Sequence, residues 1–218
     1  RADFASLAQV RALAATLLEQ CPRIDVLVNN AGLWNQDRRV TEDGFEQSIG
    51  VNHLAPYLLT RLLTDRLEAD RARVVTVASR LHLNAKTIDL DDPHWERRRY
   101  RGLAAYAQSK LANVVFANAL AERFEHATST SLHPGDIATN VVRDSRLLTF
   151  GMAIARHSLL TPTEGAQCTL HAAASEAAAG RTGVYFTECA EVAPNPVALD
   201  RGLQQRLWAW SSEQVQSR

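Results

Sequence analysis

Apolar positions recur along the chain at two periods, one typical of helices and one typical of buried strands. Near the start, Val10, Leu13 and Leu17 share one helix face, and Ser6 followed by Gln9 predicts a capping box where that helix begins. The next apolar segment, 24–28, is short and β-branched. Such a segment is typical of a strand that is covered on both faces.

The same alternation continues to the end of the chain. Strands are predicted at 24–28, 73–78, 129–132 and 183–187, and further helices at about 41–68, 103–124, 164–179 and 199–215. We expect Pro56 to kink the helix predicted at 41–68. Strands that alternate with helices predict an α/β fold, a doubly wound parallel sheet with helices on both faces.

Composition narrows the class of protein. The 218 residues suit one domain, 1–218, and the apolar fraction of 46% with 22% charged residues excludes disordered and fibrous classes. Equal numbers of basic and acidic residues, 24 each, argue against a nucleic-acid-binding surface. Neither a membrane span nor a signal peptide is visible, so we expect a cytoplasmic protein. The three cysteines lack metal-ligand spacing, which predicts reduced thiols and no metal site.

Polar residues and glycines follow the predicted strands where each strand ends. The segment 29–32, Asn-Asn-Ala-Gly, follows the first strand, Ser79 follows the second, and Pro134 and Gly135 follow the third, with Thr139 close behind. In sheets of this type ligands bind outside the carboxyl ends of the strands. The sequence therefore predicts a functional site at this edge.

Tyr106 and Lys110 lie four residues apart, on one face of the predicted helix. A phenol has a pKa of about 10, and a nearby ammonium lowers it, which suits proton exchange with an alcohol oxygen. Only two of the 24 basic residues are lysines, Lys86 and Lys110, so a lysine here is more telling than in an ordinary chain. The alternative is a tyrosine that packs beside a lysine that is solvated.

The chain resembles the short-chain dehydrogenase/reductase family in four motifs that follow one another in the family's order. They are segment 29–32, Ser79, the pair Tyr106 and Lys110, and the pair Pro134 and Gly135. The resemblance runs through most of the chain. The segments 43–46, 50–54 and 106–113 are similar to its retinol-dehydrogenase-like and WW-domain-oxidoreductase-like branch. The resemblance implies an NAD(P)-dependent oxidoreductase that interconverts an alcohol and a carbonyl.

The resemblance also implies a catalytic tetrad of Asn52, Ser79, Tyr106 and Lys110. Tyr106 would exchange the proton and Lys110 would lower its pKa and bind the nicotinamide ribose. Ser79 would hold the substrate oxygen, and Asn52 would hold a water of a proton relay. His53 and His133 are expected to be positional, and the charged segment between Ser79 and Tyr106 a solvated loop at the rim.

Further residues are implied as contacts of the cofactor, either NAD or NADP. Those expected beside its adenosine part are Asn29, Ala31 and Gly32, and those beside its nicotinamide are Pro134, Gly135 and Thr139. Asp3 matches an acidic residue that meets the adenine, although a helix-start cap explains it equally well. Asn30 is expected to be structural, tying strands together.

The apolar residues at 138–165 resemble the family's substrate-binding flap and predict a small apolar alcohol, aldehyde or ketone as substrate. A helix that packs on the core, or a surface that docks on a membrane or partner, would explain them as well. Family members associate through the helices equivalent to those of Asn52 and Tyr106, so a homodimer or tetramer is expected.

The family's glycine-rich pyrophosphate turn, Gly-x-x-x-Gly-x-Gly, does not occur in these 218 residues. By resemblance, the first βαβ portion is lacking, and strand 24–28 would become an exposed apolar edge because the family's sheet order is 3-2-1-4-5-6-7. A catalytically silent fragment, or a cofactor-sensing interaction protein, is therefore an alternative. A sugar-nucleotide epimerase-like relative shares the Tyr/Lys pair, but segment 29–32 argues against it.

Overall fold

The computed structural model describes residues 1–135 and 161–216 and contains a five-stranded sheet in the order β1-β2-β3-β4-β5. The strands are β1 (Val26–Asn29), β2 (Arg73–Val77), β3 (Thr128–His133), β4 (Val184–Thr187) and β5 (Ala190–Val192). The first four strands are parallel and β5 is antiparallel to β4. The predicted α/β fold with a largely parallel sheet is confirmed.

Helices cover both faces of this sheet. They are α1 (Leu7–Gln20), α2 (Gln47–Ile49), a π-helical turn (Gly50–Leu54), α3 (Ala55–Ala69), α4 (Gly102–Ala121), α5 (Pro162–Ala174) and α6 (Arg201–Gln216). Short 3₁₀ turns lie at Arg80–Asn84, Glu176–Ala178 and Pro196–Leu199. None of the helices described here is long and apolar enough to cross a bilayer.

The two-residue period of β2 divides the core into two layers. Val74 points to the face that holds α1, α3 and the end of α4, while Val75 and Val77 point to the opposite face. There they pack with Cys168 and Ala172 of α5. Because both faces are covered, β2 consists almost entirely of buried residues.

Helix α4 lies at the centre of the first layer and is buried on nearly every side. Its many alanines let neighbouring elements approach closely, and α6 packs across it. The Trp208 ring of α6 lies 5.2 Å from the Tyr57 ring and 6.0 Å from the Phe116 ring. Helix α6 thus covers part of the α3–α4 surface through which association was expected.

Strand β1 ends the sheet on one side, as the resemblance implied. Val26 and Val28 are 37% and 38% exposed, although both are apolar and β-branched. Exposed strand edges of this kind can pair with further backbone.

The capping box predicted at Ser6 is wrong. Within the described residues the Ser6 side chain forms no capping hydrogen bond, and Gln9 Oε1 instead accepts from the Asp3 backbone N–H at 2.9 Å. The carboxylate that serves α1 comes from a distant segment, since Asp43 Oδ2 accepts from Leu7 N at 2.9 Å. A partner 36 residues away cannot be read from local spacing.

The long helix predicted over 41–68 is shorter and is interrupted before Pro56 rather than at it. It begins at Gln47, and within the π-helical turn Ala55 N–H bonds to Gly50 O. Pro56 then occupies the first turn of α3, where its missing N–H costs least. Single π-helical turns of this kind are rare within helices and frequently lie at functional sites.

The last part of the sheet was predicted incompletely. Strand β5 was missed because it has three exposed residues and follows a tight turn without glycine, at Glu188 and Cys189. The helix predicted over 164–179 begins earlier, at Pro162, with a capping box between Thr161 and Glu164, and ends at Ala174.

Candidate active site

Three separate segments meet at the carboxyl ends of β1 and β2. A Cβ placed on Gly32 would lie 3.2 Å from Lys110 Nζ and 3.4 Å from Asn52 Oδ1. The loop after β1, the π-helical turn and α4 therefore converge on one point, as the strand-end pattern predicted. Gly32 is exposed, so the space that a side chain would fill is open to a ligand.

Lys110 is held inside the protein by the end of β2. Its Nζ donates to the Val77 carbonyl at 3.0 Å, and the residue is only 3% exposed. Burial lowers the pKa of Lys110 from 10.5 to about 8, because the charged form loses its hydration. The ammonium lies 5.7 Å from the centroid of the Tyr106 ring, so the predicted pair is brought together.

Asn52 joins the π-helical turn to both neighbouring segments. Its Oδ1 accepts from Leu33 N at 2.8 Å, and its Nδ2 donates to Leu33 O at 3.0 Å and to Ser109 Oγ at 2.9 Å. Ser109 Oγ in turn donates to the Tyr106 carbonyl at 2.8 Å. Asn52 thus fixes the loop that carries Gly32 relative to the helix that carries Tyr106.

The pKa of Tyr106 departs from the prediction. Burial raises it above the usual 10, and a hydrogen bond with the Ser79 side chain lowers it by less. We expected Lys110 to lower this pKa, but Lys110 is itself buried and engaged with Val77. In this arrangement Tyr106 keeps its proton at neutral pH.

Ser79 begins the 3₁₀ turn after β2 and is half-buried. Its Oγ accepts from Leu81 N at 3.2 Å, and its carbonyl lies 2.7 Å from His82 Nδ1. Sequence reasoning missed His82. A histidine three residues after a candidate serine could have signalled it, because such a residue can reach back to the serine backbone.

The two asparagines at the end of β1 differ from expectation, because Asn29 rather than Asn30 makes the structural contact. Asn29 is buried, and its Nδ2 donates to Thr60 Oγ1 of α3 at 3.0 Å. Asn30 is exposed, so the structural tie to a neighbouring element is made by Asn29. Asn29 is also paired with Thr76 in the sheet.

The remaining predicted cofactor contacts are distributed as follows. Ala31 is exposed beside Gly32, and Pro134 and Gly135 follow β3, where Gly135 adopts a φ of 92°. Asp3 is exposed, and its Oδ1 accepts from Ala5 N at 2.9 Å, in the turn before α1 rather than at the first N–H groups of that helix. Thr139 and residues 138–160 of the predicted flap lie outside the described residues.

The segment between Ser79 and Tyr106 is more buried than the solvated loop that was expected. Ile88, Asp92 and Trp95 are buried within it. The Arg98 guanidinium lies 3.8 Å from the centroid of the Trp95 ring and also pairs with Asp89. These contacts form the wall of a cavity of about 640 Å³ beside α4.

His53 is a core residue, as expected. It is 1% exposed, its Nε2 lies 2.8 Å from Ser211 Oγ, and burial lowers its pKa to about 3. A neutral imidazole among aromatic rings serves packing between the π-helical turn and α6.

Comparison with known proteins identifies the family. The family model described as short chain dehydrogenase matches residues 1–88. Human retinol dehydrogenase 13 is 38% identical over 224 residues, which cover 98% of this chain and 67% of that protein. The chain belongs to the short-chain dehydrogenase/reductase family. Within it the chain is retinol-dehydrogenase-like, as the segments 43–46, 50–54 and 106–113 indicated.

Solved structures agree with the fold of this short-chain dehydrogenase. A crystal structure of an uncharacterized protein from Mycobacterium paratuberculosis shares 31% identity over 99% of this chain and 74% of its own, with a TM-score of 0.77. A blue fluorescent protein from a metagenomic library, in complex with NADPH, shares 26% identity over 85% of this chain and 71% of its own, with a TM-score of 0.63. The chain spans about two thirds of the length of retinol dehydrogenase 13.

Proposed function

We propose that this chain is an NAD(P)-dependent oxidoreductase that interconverts an alcohol and a carbonyl, with Tyr106 as the acid/base. The observation that carries the proposal is the convergence of Gly32, Asn52 and Lys110 on one point, with the Lys110 ammonium 5.7 Å from the centroid of the Tyr106 ring. Family membership supports the same class of reaction.

A nicotinamide cofactor fits the open space at Gly32. No Cβ intrudes there, and the Lys110 ammonium and the Asn52 amide oxygen border it. Gly32, Lys110 and Gly135 would hold the cofactor, which when bound supplies or accepts a hydride. The related blue fluorescent protein binds NADPH, whereas nothing in the residues of this site selects NADP over NAD.

Tyr106 is the group suited to move the proton. Its raised pKa means that Oη carries a proton at neutral pH and can donate it to a carbonyl oxygen. The Ser79 oxygen accepts from Leu81 N, so its single hydroxyl proton would be available to donate to the developing alkoxide. Lys110 would hold the nicotinamide ribose of a bound cofactor through its ammonium, and this contribution falls above a pH of about 8, where the lysine loses its charge.

An apolar substrate is favoured by the surface beside Ser79. Leu81 and Leu83 line an open pocket there with Ser79, Arg80 and Asn84, and Leu83 is 52% exposed. An exposed leucine at the entrance of a reactive site is suited to bind hydrocarbon. Retinol, the alcohol that names the similar human dehydrogenase, is the first compound of this type to test.

The test is turnover of the 218-residue chain with retinol and either NAD⁺ or NADP⁺, followed by the absorbance of the reduced cofactor. We expect oxidation of retinol and no comparable oxidation of a polar sugar alcohol. Fluorescence titration with NADH and NADPH is the control for binding. No cofactor binding and no turnover would contradict the proposal and support the catalytically silent alternative.

A further inference from the structure

His82 is fully buried although it carries two polar ring nitrogens. It lies in the 3₁₀ turn that begins at Ser79. Its Nδ1 lies 2.7 Å from the Ser79 carbonyl oxygen, and its Nε2 lies 3.1 Å from the backbone nitrogen of Asn195. Both nitrogens are therefore within hydrogen-bond distance of a backbone group.

These partners determine the protonation state of the ring. A carbonyl oxygen can only accept, so Nδ1 must carry the proton, and a backbone N–H can only donate, so Nε2 must be free of one. His82 is then the neutral Nδ1–H tautomer. Burial also lowers its pKa below 6.5, which agrees with a neutral ring.

Asn195 binds the end of the 3₁₀ turn that contains His82. It is 6% exposed, and its Nδ2 donates to the carbonyls of His82 at 3.1 Å and Ala85 at 2.9 Å. The imidazole also packs against the ring of Tyr185 in β4, with the centroids 4.8 Å apart. The turn after β2 is thus fastened to β4 and to the segment that precedes α6.

We propose that His82 is a positioning residue for Ser79: its Nδ1–H holds the Ser79 carbonyl and so fixes the direction in which the Ser79 hydroxyl leaves the 3₁₀ turn. The inference rests on the proposed function, because it concerns the serine and tyrosine of that site. His82 acts through Ser79 and is too deeply buried to touch a substrate.

Two substitutions of His82 test the hydrogen bonds of its two ring nitrogens separately. In His82→Asn the amide nitrogen can take the place of Nδ1 and still donate to Ser79, while in His82→Gln the amide oxygen can take the place of Nε2 and accept only from Asn195. We expect His82→Gln to lower kcat about tenfold, and His82→Asn to stay within about threefold of the original chain. The KM for the cofactor should change in neither variant.

A double-mutant cycle with Ser79→Ala tests the route of the effect. If His82 acts through Ser79, His82→Gln should reduce kcat no further once the serine hydroxyl is gone. Additive losses, or equal kcat in both His82 variants, would overturn the positioning role while leaving the oxidoreductase proposal intact.

The titration of Tyr106 gives a readout that needs no turnover. The full chain, labelled with ¹³C at the tyrosine ζ carbon, is titrated by NMR, and Tyr106→Phe assigns the signal. Since the bond from Ser79 lowers the Tyr106 pKa, His82→Gln should raise that pKa and His82→Asn should leave it unchanged. An unchanged pKa in His82→Gln would contradict the inference, even if the chain proved inactive and the proposed function failed.

Discussion

The burial of Lys110 lowers the free energy of unfolding of the chain rather than raising it. An ammonium that is 3% exposed and bonded to one carbonyl loses most of its hydration, and its pKa falls from 10.5 to about 8. Each unit of such a shift corresponds to about 1.4 kcal/mol between the two protonation states. The chain therefore gives up folding free energy to keep this lysine at Gly32 and Tyr106.

Replacing Lys110 with methionine should stabilise the chain at pH 7, by roughly 2 kcal/mol, because the cost of burying a charge disappears. The folded state releases the lysine proton near pH 8 and the unfolded state near 10.5, so the stability of the original chain rises between these values. The advantage of Lys110→Met should therefore shrink as the pH is raised through that window.

Urea unfolding at pH 7 and at pH 9.5 measures both effects. Lys86→Met is the matched control, since Lys86 is exposed and its replacement should change stability by less than about 0.5 kcal/mol. A Lys110→Met chain that is less stable than the original at pH 7 would refute this account of the lysine.

The tyrosine–lysine pair could be predicted because its geometry is local, four residues along one helix. The direction of the Tyr106 pKa could not, because it depends on how deeply α4 is buried by segments remote in sequence. His82 was missed for the same reason, since its second partner, Asn195, lies 113 residues away.

At the scale of elements, Glu46 holds the start of the helix that leads to Asn52. Its two carboxylate oxygens accept from Ser48 N and Ile49 N, both at 2.9 Å, and Tyr100 Oη donates to it at 2.9 Å. The residue is 0% exposed, so each of these bonds satisfies a group that has no access to water at this point. This explains why segment 43–46 carries an acidic residue.

Glu46→Gln should destabilise the chain by about 1–3 kcal/mol, because one amide N–H would face a backbone N–H and leave a buried donor unpaired. Chemical denaturation measures the loss, with Glu42→Gln as control, since Glu42 is exposed. Equal stability of the two variants would show that Glu46 contributes nothing to this helix start.

The turn between β4 and β5 stores strain in two non-glycine residues. Glu188 and Cys189 have φ values of 52° and 61°, in the left-handed region that glycine occupies without cost. Glu188→Gly should therefore stabilise the chain by about 0.5–1 kcal/mol in thermal or urea unfolding. A loss of stability would mean that the glutamate makes contacts that outweigh the strain.

Strands with buried, β-branched residues were predictable from sequence, and so was the order of strands and helices. The π-helical turn and β5 were not, because each depends on a tertiary setting: the fit of Pro56 in the first case and pairing with β4 in the second. The start of α1 depends in the same way on Asp43.

At the scale of the whole molecule, one edge of the sheet brings together groups from five segments of the chain. The sheet places the ends of β1, β2 and β3 side by side, α4 supplies Tyr106 and Lys110, and the π-helical turn supplies Asn52. Helix α6 closes the opposite side of α4, where Arg123 lies 4.1 Å from the centroid of the Trp208 ring. The fold thus explains how residues far apart in sequence come to lie at one edge of the sheet.

Proton transfer by Tyr106 is the step on which the proposed reaction depends, and Tyr106→Phe removes the group that would perform it. The variant loses only the hydroxyl, so we predict that kcat falls by at least about a hundredfold while the Kd for the cofactor stays within about twofold. Tyr57→Phe, which removes a hydroxyl between α3 and α6, is the matched control and should keep full activity. Turnover of Tyr106→Phe at the rate of the original chain would contradict the account.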